Sequence, residues 1–226
     1  MQREVFHRAG LACAPGLGLE PATTRRPRAR TERTGHPPVE TPALGGAKKN
    51  AQKRGQTIVF VDESGLSERP HRVRTWAPRG QTPVLQFPFN GKTLSVIAGI
   101  TWWRFYFQLF PGAIKGPQII EFLEHLMRHL RRPLLVIWDG LPGHRSTLVR
   151  DFVTAQGHRL VLEWRPGYAP GLNPVEHIGS YLKQHELPNL CPRELGQLST
   201  AACDALRRMR RRPTLVAAFW KQAELF

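Results

Sequence analysis

Thr57-Ile58-Val59-Phe60-Val61-Asp62 is a continuous β-branched and aromatic run that ends on a carboxylate. Such a run suits a strand buried on both faces, where no polar alternation is needed. Leu134-Leu135-Val136-Ile137-Trp138 has the same character and also runs into a carboxylate, Asp139. Between the two, Asn90-Gly91 marks a turn, Leu94 to Thr101 and Phe105 to Leu109 read as antiparallel neighbours, and Pro111-Gly112 closes that meander. After Pro117, the residues Ile119, Ile120, Leu123, Leu126, Met127 and Leu130 recur on one helical face until Arg131-Arg132-Pro133. A helix from Ser146 to Gln156 leads to a strand around Arg159 to Trp164. A Pro- and Gly-rich loop, Arg165 to Pro174, then opens a helix at Asn173-Pro174 with Glu176 just inside it. A last amphipathic helix covers Glu194 to Arg211, with Leu195, Leu198, Ala202, Ala205, Leu206 and Met209 inward. The expected fold class is α/β: a mixed five-stranded sheet, a three-strand antiparallel meander plus two parallel strands, flanked by helices.

The remainder of the chain has a different composition. All six tryptophans, all three tyrosines and ten of the eleven phenylalanines follow residue 56, so the first quarter lacks the apolar side chains that build a core. Residues 1–46 are therefore expected to be a disordered basic tail, with Ala47 to Arg54 a short basic lead-in and 47–226 the folded domain. Lys and Arg total 33 against 17 Asp and Glu, a formal charge of +16. Residues 1–56 hold 11 of the basic and 4 of the acidic side chains, so the folded part is basic too. That imbalance favours a polyanionic partner, nucleic acid first. No apolar run reaches the roughly 20 residues of a membrane span, and the N-terminus has no signal-peptide pattern, so no membrane partner is expected. Cys13, Cys191 and Cys203 are odd in number and lack a metal-ligand spacing, which fits a reducing cytoplasm rather than a disulfide framework or a zinc site.

Carboxylates at the ends of two buried strands are costly to desolvate and persist there when paired, hydrogen-bonded or bound to cations. Asp62 and Asp139 are the first candidates, and Glu176, opening a helix after the fifth strand, leans over the same sheet edge. Three such oxygen donors suit Mg²⁺ or Mn²⁺. Two ions about 3.5–4 Å apart would serve both the attacking and the leaving oxygen of a phosphodiester. Any one strand-end Asp is more often a turn former, and Asp139-Gly140 alone reads as a turn; three in order weigh the other way.

Several motifs carry a family resemblance. Ile58-Val-Phe-Val-Asp62-Glu-Ser-Gly, Arg74-Thr-Trp-Ala-Pro-Arg-Gly-Gln-Thr-Pro83, Val136-Ile-Trp-Asp139 with His144, and Pro166-Gly-Tyr-Ala-Pro-Gly-Leu-Asn-Pro-Val-Glu176 resemble the bacterial insertion-sequence transposases allied to the mariner elements. The likeness runs from about Ala47 to the C-terminus, and the 36 residues between Asp139 and Glu176 resemble that group's spacing. It implies an RNase H-like fold and Asp62, Asp139 and Glu176 as catalytic residues that hold two Mg²⁺ or Mn²⁺ ions. It further implies nicking of double-stranded DNA at transposon ends, transfer of the freed 3′-hydroxyl into target DNA, a homodimer in the active form, and a cytoplasmic, nucleoid-associated location. The chain departs from the pattern in two places. Gly179 stands where the family usually has an aromatic residue, and a helical glycine costs about 1 kcal/mol. Residues 1–46 resemble no helix-turn-helix, so the expectation is a truncated copy lacking its end-recognition region. A non-catalytic DNA-binding remnant and an RNase H-type nuclease without strand transfer are the competing readings.

The other candidates have plainer alternatives. Glu63 points away from Asp62 if the strand continues and reads as a structural or surface group, held as a reserve ligand. His144, in a Pro-Gly loop, is either solvated or a phosphate contact. Trp76, Trp102 and Trp103 read as core rather than base-stacking residues. Arg72, Arg74, Arg79 and Lys183 are the expected DNA contacts, together with some of the cluster Arg207, Arg208, Arg210, Arg211 and Arg212, although charge runs are usually solvated faces. Lys183 lies two helical turns beyond Glu176 and so on the same face.

Overall fold

The computed structural model describes residues 19–21, 42–88, 90–140, 143–164 and 173–223. In chain order the elements begin with β1 (Leu19–Pro21), α1 (Pro42–Lys53), β2 (Thr57–Ser67), β3 (Trp76–Pro78), β4 (Thr93–Ile100) and β5 (Phe105–Pro111). They continue with α2 (Gly116–His129), β6 (Leu134–Trp138), α3 (Thr147–Gln156), β7 (Leu160–Trp164), α4 (Pro174–Tyr181), α5 (Leu195–Arg210) and α6 (Pro213–Gln222). The chain forms two compact units, Met1–Glu32 with Arg74–Leu85, and Arg33–Val73 with Gln86–Phe226. In the smaller unit β1 pairs antiparallel with β3. A strand at Leu19 and a helix from Pro42 both fall within the stretch expected to lack structure. The rest of that expectation lies outside the described residues.

The larger unit carries a five-stranded sheet in the order β5-β4-β2-β6-β7. β4 is antiparallel to both β2 and β5, while β6 is parallel to both β2 and β7. This is the expected meander with two parallel strands added, the RNase H-like arrangement. The β2 run is apolar on both faces because both are covered. Val59 and Val61 pack with Ile97, Val136 and Trp138 beneath α2 and α3. Phe60 packs on the opposite face with Ala98, Ile100 and Ile137 beneath α4, α5 and α6. Strand alternation thus assigns Asp62 to the face of α4 and Glu63 to the face of α2 and α3.

α2 realises the expected stripe, with Ile119, Phe122, Leu123, Leu126 and Met127 buried and Pro117 in its first turn. The Gln118 side chain accepts the Lys115 N–H at 3.1 Å, which satisfies one amide at that end. α6 is the element the sequence did not announce: Pro213, after a run of arginines, reads as a stop but serves as the first residue of a new helix. Its Val216, Phe219 and Trp220 are buried. The tryptophan expectation fails at three positions, since Trp76, Trp102 and Trp103 are 68%, 59% and 60% exposed. Trp102 and Trp103 occupy the four-residue turn between β4 and β5, where the sheet has no covering helix for both rings. Trp102 does lean on Trp220, with ring centroids 5.3 Å apart.

α4 approaches β2 closely, and Gly179 permits it. A Cβ added at Gly179 would sit 2.8 Å from Ser64 Oγ and 3.1 Å from Ser64 Cβ. The absent side chain therefore sets the clearance between helix and strand, which offsets its cost in helix propensity. Gly179→Ala is expected to destabilise by about 1–3 kcal/mol through overpacking. Ser64→Gly should relieve most of that loss, so a double-mutant cycle measured by urea unfolding should return a coupling above about 0.5 kcal/mol. Strict additivity would mean that the contact does not limit packing.

Candidate active site

Asp62 sits midway along β2 and is met from the α4 side by Asn173. The Asn173 Nδ2 donates to Asp62 Oδ2 at 3.1 Å, while Asp62 Oδ1 accepts the Glu63 N–H at 2.8 Å. Asn173 is buried, and its Oδ1 also accepts the Val175 N–H at 3.2 Å, capping α4. One side chain thereby joins the strand carboxylate to the helix start. Glu176 follows in the first turn of α4, where the free amide ends favour a negative charge.

Asp62, Glu63, Ser64, Glu176, Gly179 and Lys183 line one cleft of about 200 Å³. Lys183 reaches it from a π-helical turn, Leu182–Glu186, that continues α4, so its place is not the regular two-turn spacing the sequence suggested. Burial pushes the Lys183 ammonium below the usual lysine value, against the pull of the nearby Asp62 charge.

Asp139 follows Trp138 at the end of β6 and is not among the residues lining that cleft. Its Oδ1 stands 2.8 Å from His144 Nδ1, and its backbone oxygen 3.0 Å from the same nitrogen. His144 Nε2 lies 3.1 Å from Glu63 Oε1. Both ring nitrogens therefore face oxygen acceptors, which calls for two N–H donors and hence the imidazolium form. Burial opposes that charge, but hydrogen bonds to Asp139 and then to Glu63 outweigh it, and the pKa is pushed up to about 9. The ring also stacks on Trp138, with centroids 4.3 Å apart and planes within 3° of parallel. His144 thus ties the ends of β2 and β6 together.

The structure brings Asp62, Glu176 and Lys183 into one cleft and holds Asp139 beside His144. His144, expected as a DNA contact, is instead only 1% exposed, with both nitrogens engaged inside the protein. Glu63 points away from Asp62 as expected, yet it is a partner of His144 rather than a free surface group. Arg72 is exposed after β2 and does not line the cleft, and Arg74 and Arg79 belong to the smaller unit. Part of the arginine cluster is structural: Arg208 meets Glu186 at 2.9 Å, and Arg212 meets Tyr181 Oη at 3.2 Å.

The sequence reading missed the double role of Asn173; its capping half was visible before Pro174, but its bond to Asp62 depends on tertiary placement. Among the described residues no three His, Cys, Asp or Glu side chains stand in a ready metal-holding group. The donors at the cleft are carboxylate oxygens, a set that suits a hard divalent cation rather than zinc.

Comparison with known proteins agrees with this geometry. A family model described as the DDE superfamily endonuclease matches residues 57–198. No curated protein sequence matches the chain. Among solved structures, the Mos1 mariner paired-end complex with Mn aligns with a TM-score of 0.58 at 17% identity, over 79% of this chain and 56% of that one. The Mos1 strand transfer complex gives 0.52 at 18% identity over 81% and 59%, and the Mos1 transposase catalytic domain with Raltegravir and Mg gives 0.51 at 16% over 78% and 83%. The chain thus spans little more than half of the first of these proteins, and at such identities the likeness is one of fold. The matched span covers well over half of the chain and contains β2, β6 and α4 with their three acids, and the chain belongs to the DDE superfamily of endonucleases.

Proposed function

We propose that residues 47–226 are the catalytic domain of a DNA transposase that nicks DNA at transposon ends and transfers the freed 3′-hydroxyl into target DNA. One observation carries this reading: a strand carboxylate, a helix carboxylate and a lysine, far apart in sequence, line a single cleft. Asp62, Glu176 and Asp139 are the residues that would hold Mg²⁺ or Mn²⁺, in two sites. When bound, such ions activate the attacking oxygen and neutralise the leaving one. Asn173 keeps Asp62 oriented through its N–H, and the His144 bridge keeps Asp139 next to β2. Lys183 is placed to meet a non-bridging phosphate oxygen as a point charge. In the first step a water oxygen bonds to phosphorus as the bond to the 3′-oxygen breaks; in the second that 3′-hydroxyl attacks a target phosphodiester and displaces its 3′-oxygen.

The partners in this reading are double-stranded transposon ends and target DNA, and the active form is a homodimer that holds two ends together in the cytoplasm, at the nucleoid. Among the described residues no helix is long and apolar enough to cross a membrane. A second reading, DNA binding without cleavage, draws on the one feature that departs from a convergent triad, the Asp139 carboxylate held by His144 outside the cleft. Strand transfer assayed with pre-cleaved ends distinguishes a transposase from a simple nuclease.

Asp62→Asn and Asp139→Asn are each expected to lower Mg²⁺-dependent nicking by more than the roughly 10–100-fold that losing a supporting group costs. Their folding and non-specific DNA affinity should stay near the parent's, and parental nicking in Asp139→Asn would remove that residue from the site. Exhaustive chelation should abolish nicking, with Mg²⁺ or Mn²⁺ restoring it; cleavage that persists without divalent ions would exclude the metal-dependent mechanism. Lys183→Ala should weaken DNA binding and flatten the dependence of log K on log salt by about 0.9, the change for one phosphate contact. An unchanged slope would place Lys183 off the DNA path.

A further inference from the structure

The sheet has a second functional edge. β2, β6 and β7 run parallel, and the registers Thr57↔Leu134 and Leu134↔Leu160 align their first residues. β4 runs antiparallel to β2, with Phe60 opposite Ile100, so the β4–β5 turn arrives at this same edge. A hydrogen bond from Thr57 N to Pro133 O and another from Trp220 Nε1 to Thr101 O hold the edge together. Asp62 and Asp139 lie toward the other ends of β2 and β6. Five residues of strand separate Asp62 from Thr57, about 16 Å.

Every segment that reaches this edge is basic. The end of α1 brings Lys53 and Arg54, the β4–β5 turn brings Arg104, the link from α2 to β6 brings Arg131 and Arg132, and the link from α3 to β7 brings Arg159. All six are exposed. The segments 50–57, 100–105, 129–134 and 156–160 contain no Asp or Glu at all. Elsewhere in the same unit arginines are partnered by acids, as Arg208 is by Glu186 and Arg207 by Asp204 at 3.4 Å. Arg159 donates to Met127 O at 3.3 Å, which fixes its guanidinium to the rim. Trp102 and Trp103 stand on the same edge, well exposed.

Six like charges without counter-ions disfavour folding through mutual repulsion unless a polyanion neutralises them. From β4 to β7 the edge is three strand spacings wide, about 14 Å. That length of duplex axis presents about eight phosphates at one charge per roughly 1.7 Å. A deep pocket for one small anion is not what the segments form; they make an open rim, with arginine forks suited to successive phosphates and indole faces beside them.

We propose that this edge is a second DNA-binding surface, which grips the phosphate backbone of a duplex segment separate from the strand at the carboxylate cleft. It takes from the proposed function only that the chain meets DNA, and a transposase with a transposon end at the cleft has a further segment to hold, flanking or target.

The test uses the full chain and a fluorescent 30-base-pair duplex, with anisotropy titrations over a range of salt. The triple variant Arg54→Gln, Arg131→Gln, Arg132→Gln is expected to bind about tenfold or more weakly near 0.1 M salt, with a log–log slope shallower by about 2–3. Combined with Lys183→Ala, the losses should add, because the two surfaces do not share contacts. Single-turnover nicking of a saturating short substrate should stay at the parental rate. Unchanged affinity and slope in a folded triple variant would overturn the proposal. So would a loss confined to vesicles of anionic phospholipid, with duplex binding intact. Failure of the catalytic reading appears differently: no nicking in the parent, while the triple variant still loses duplex affinity.

Discussion

The hydrogen bonds of Asn173 join the two halves of the site. A buried amide that donates to Asp62 and accepts from Val175 has both ends of its side chain satisfied within one geometry. If α4 slid or rotated on the sheet, a buried carboxylate and a buried amide would lose their partners together, at about 1–3 kcal/mol for each group left unsatisfied. The position of Glu176 relative to Asp62 is therefore set by polar bonding at one end of α4 and by the Gly179–Ser64 contact one turn further along. Between these two constraints the helix has little freedom, which is what a site built from a strand and a helix requires.

On the opposite face of β2 the problem is different. Glu63, Asp139 and His144 form a chain of alternating charge within a few ångströms of the sheet edge, two carboxylates around one imidazolium. Burying these charges is tolerable because each nitrogen has an acceptor and the ring lies flat on Trp138. The bridge also closes the gap left where β2 and β6 stop pairing, after the rung Phe60↔Ile137. The carboxylate pair Asp62 and Glu63 is thus shared between the faces, one member facing the helix and cleft, the other fastening the strand to its neighbour.

Much of the architecture was legible in the sequence because its signals are local. The runs ending at Asp62 and Asp139 are unbroken and apolar, the stripe of α2 repeats at helical spacing, and Asn173-Pro174 is a helix start by its chemistry alone. The misreadings share a cause, which is that tertiary context overrode a local cue. Pro213 is as good a first residue as it is a stop, and only the apolar Val216, Phe219 and Trp220 against the sheet decide between them. Trp102 and Trp103 look like core until the turn that carries them proves too short to fold both rings inward. His144 reads as a loop residue because nothing in the neighbouring letters reveals that Glu63, on another strand, is its partner.

The wide turn at Leu182–Glu186 has a consequence for how this region can vary. It holds one more residue per turn than the helix it extends, and it ends with Glu186 gripping Arg208 and Leu187 buried. Deleting any single residue there would tighten the turn to ordinary α geometry and swing everything downstream by about 100° around the axis. Identities along this stretch are free to drift wherever they do not touch the cleft. Its length is not, and insertions or deletions should be purged from it even where substitutions accumulate.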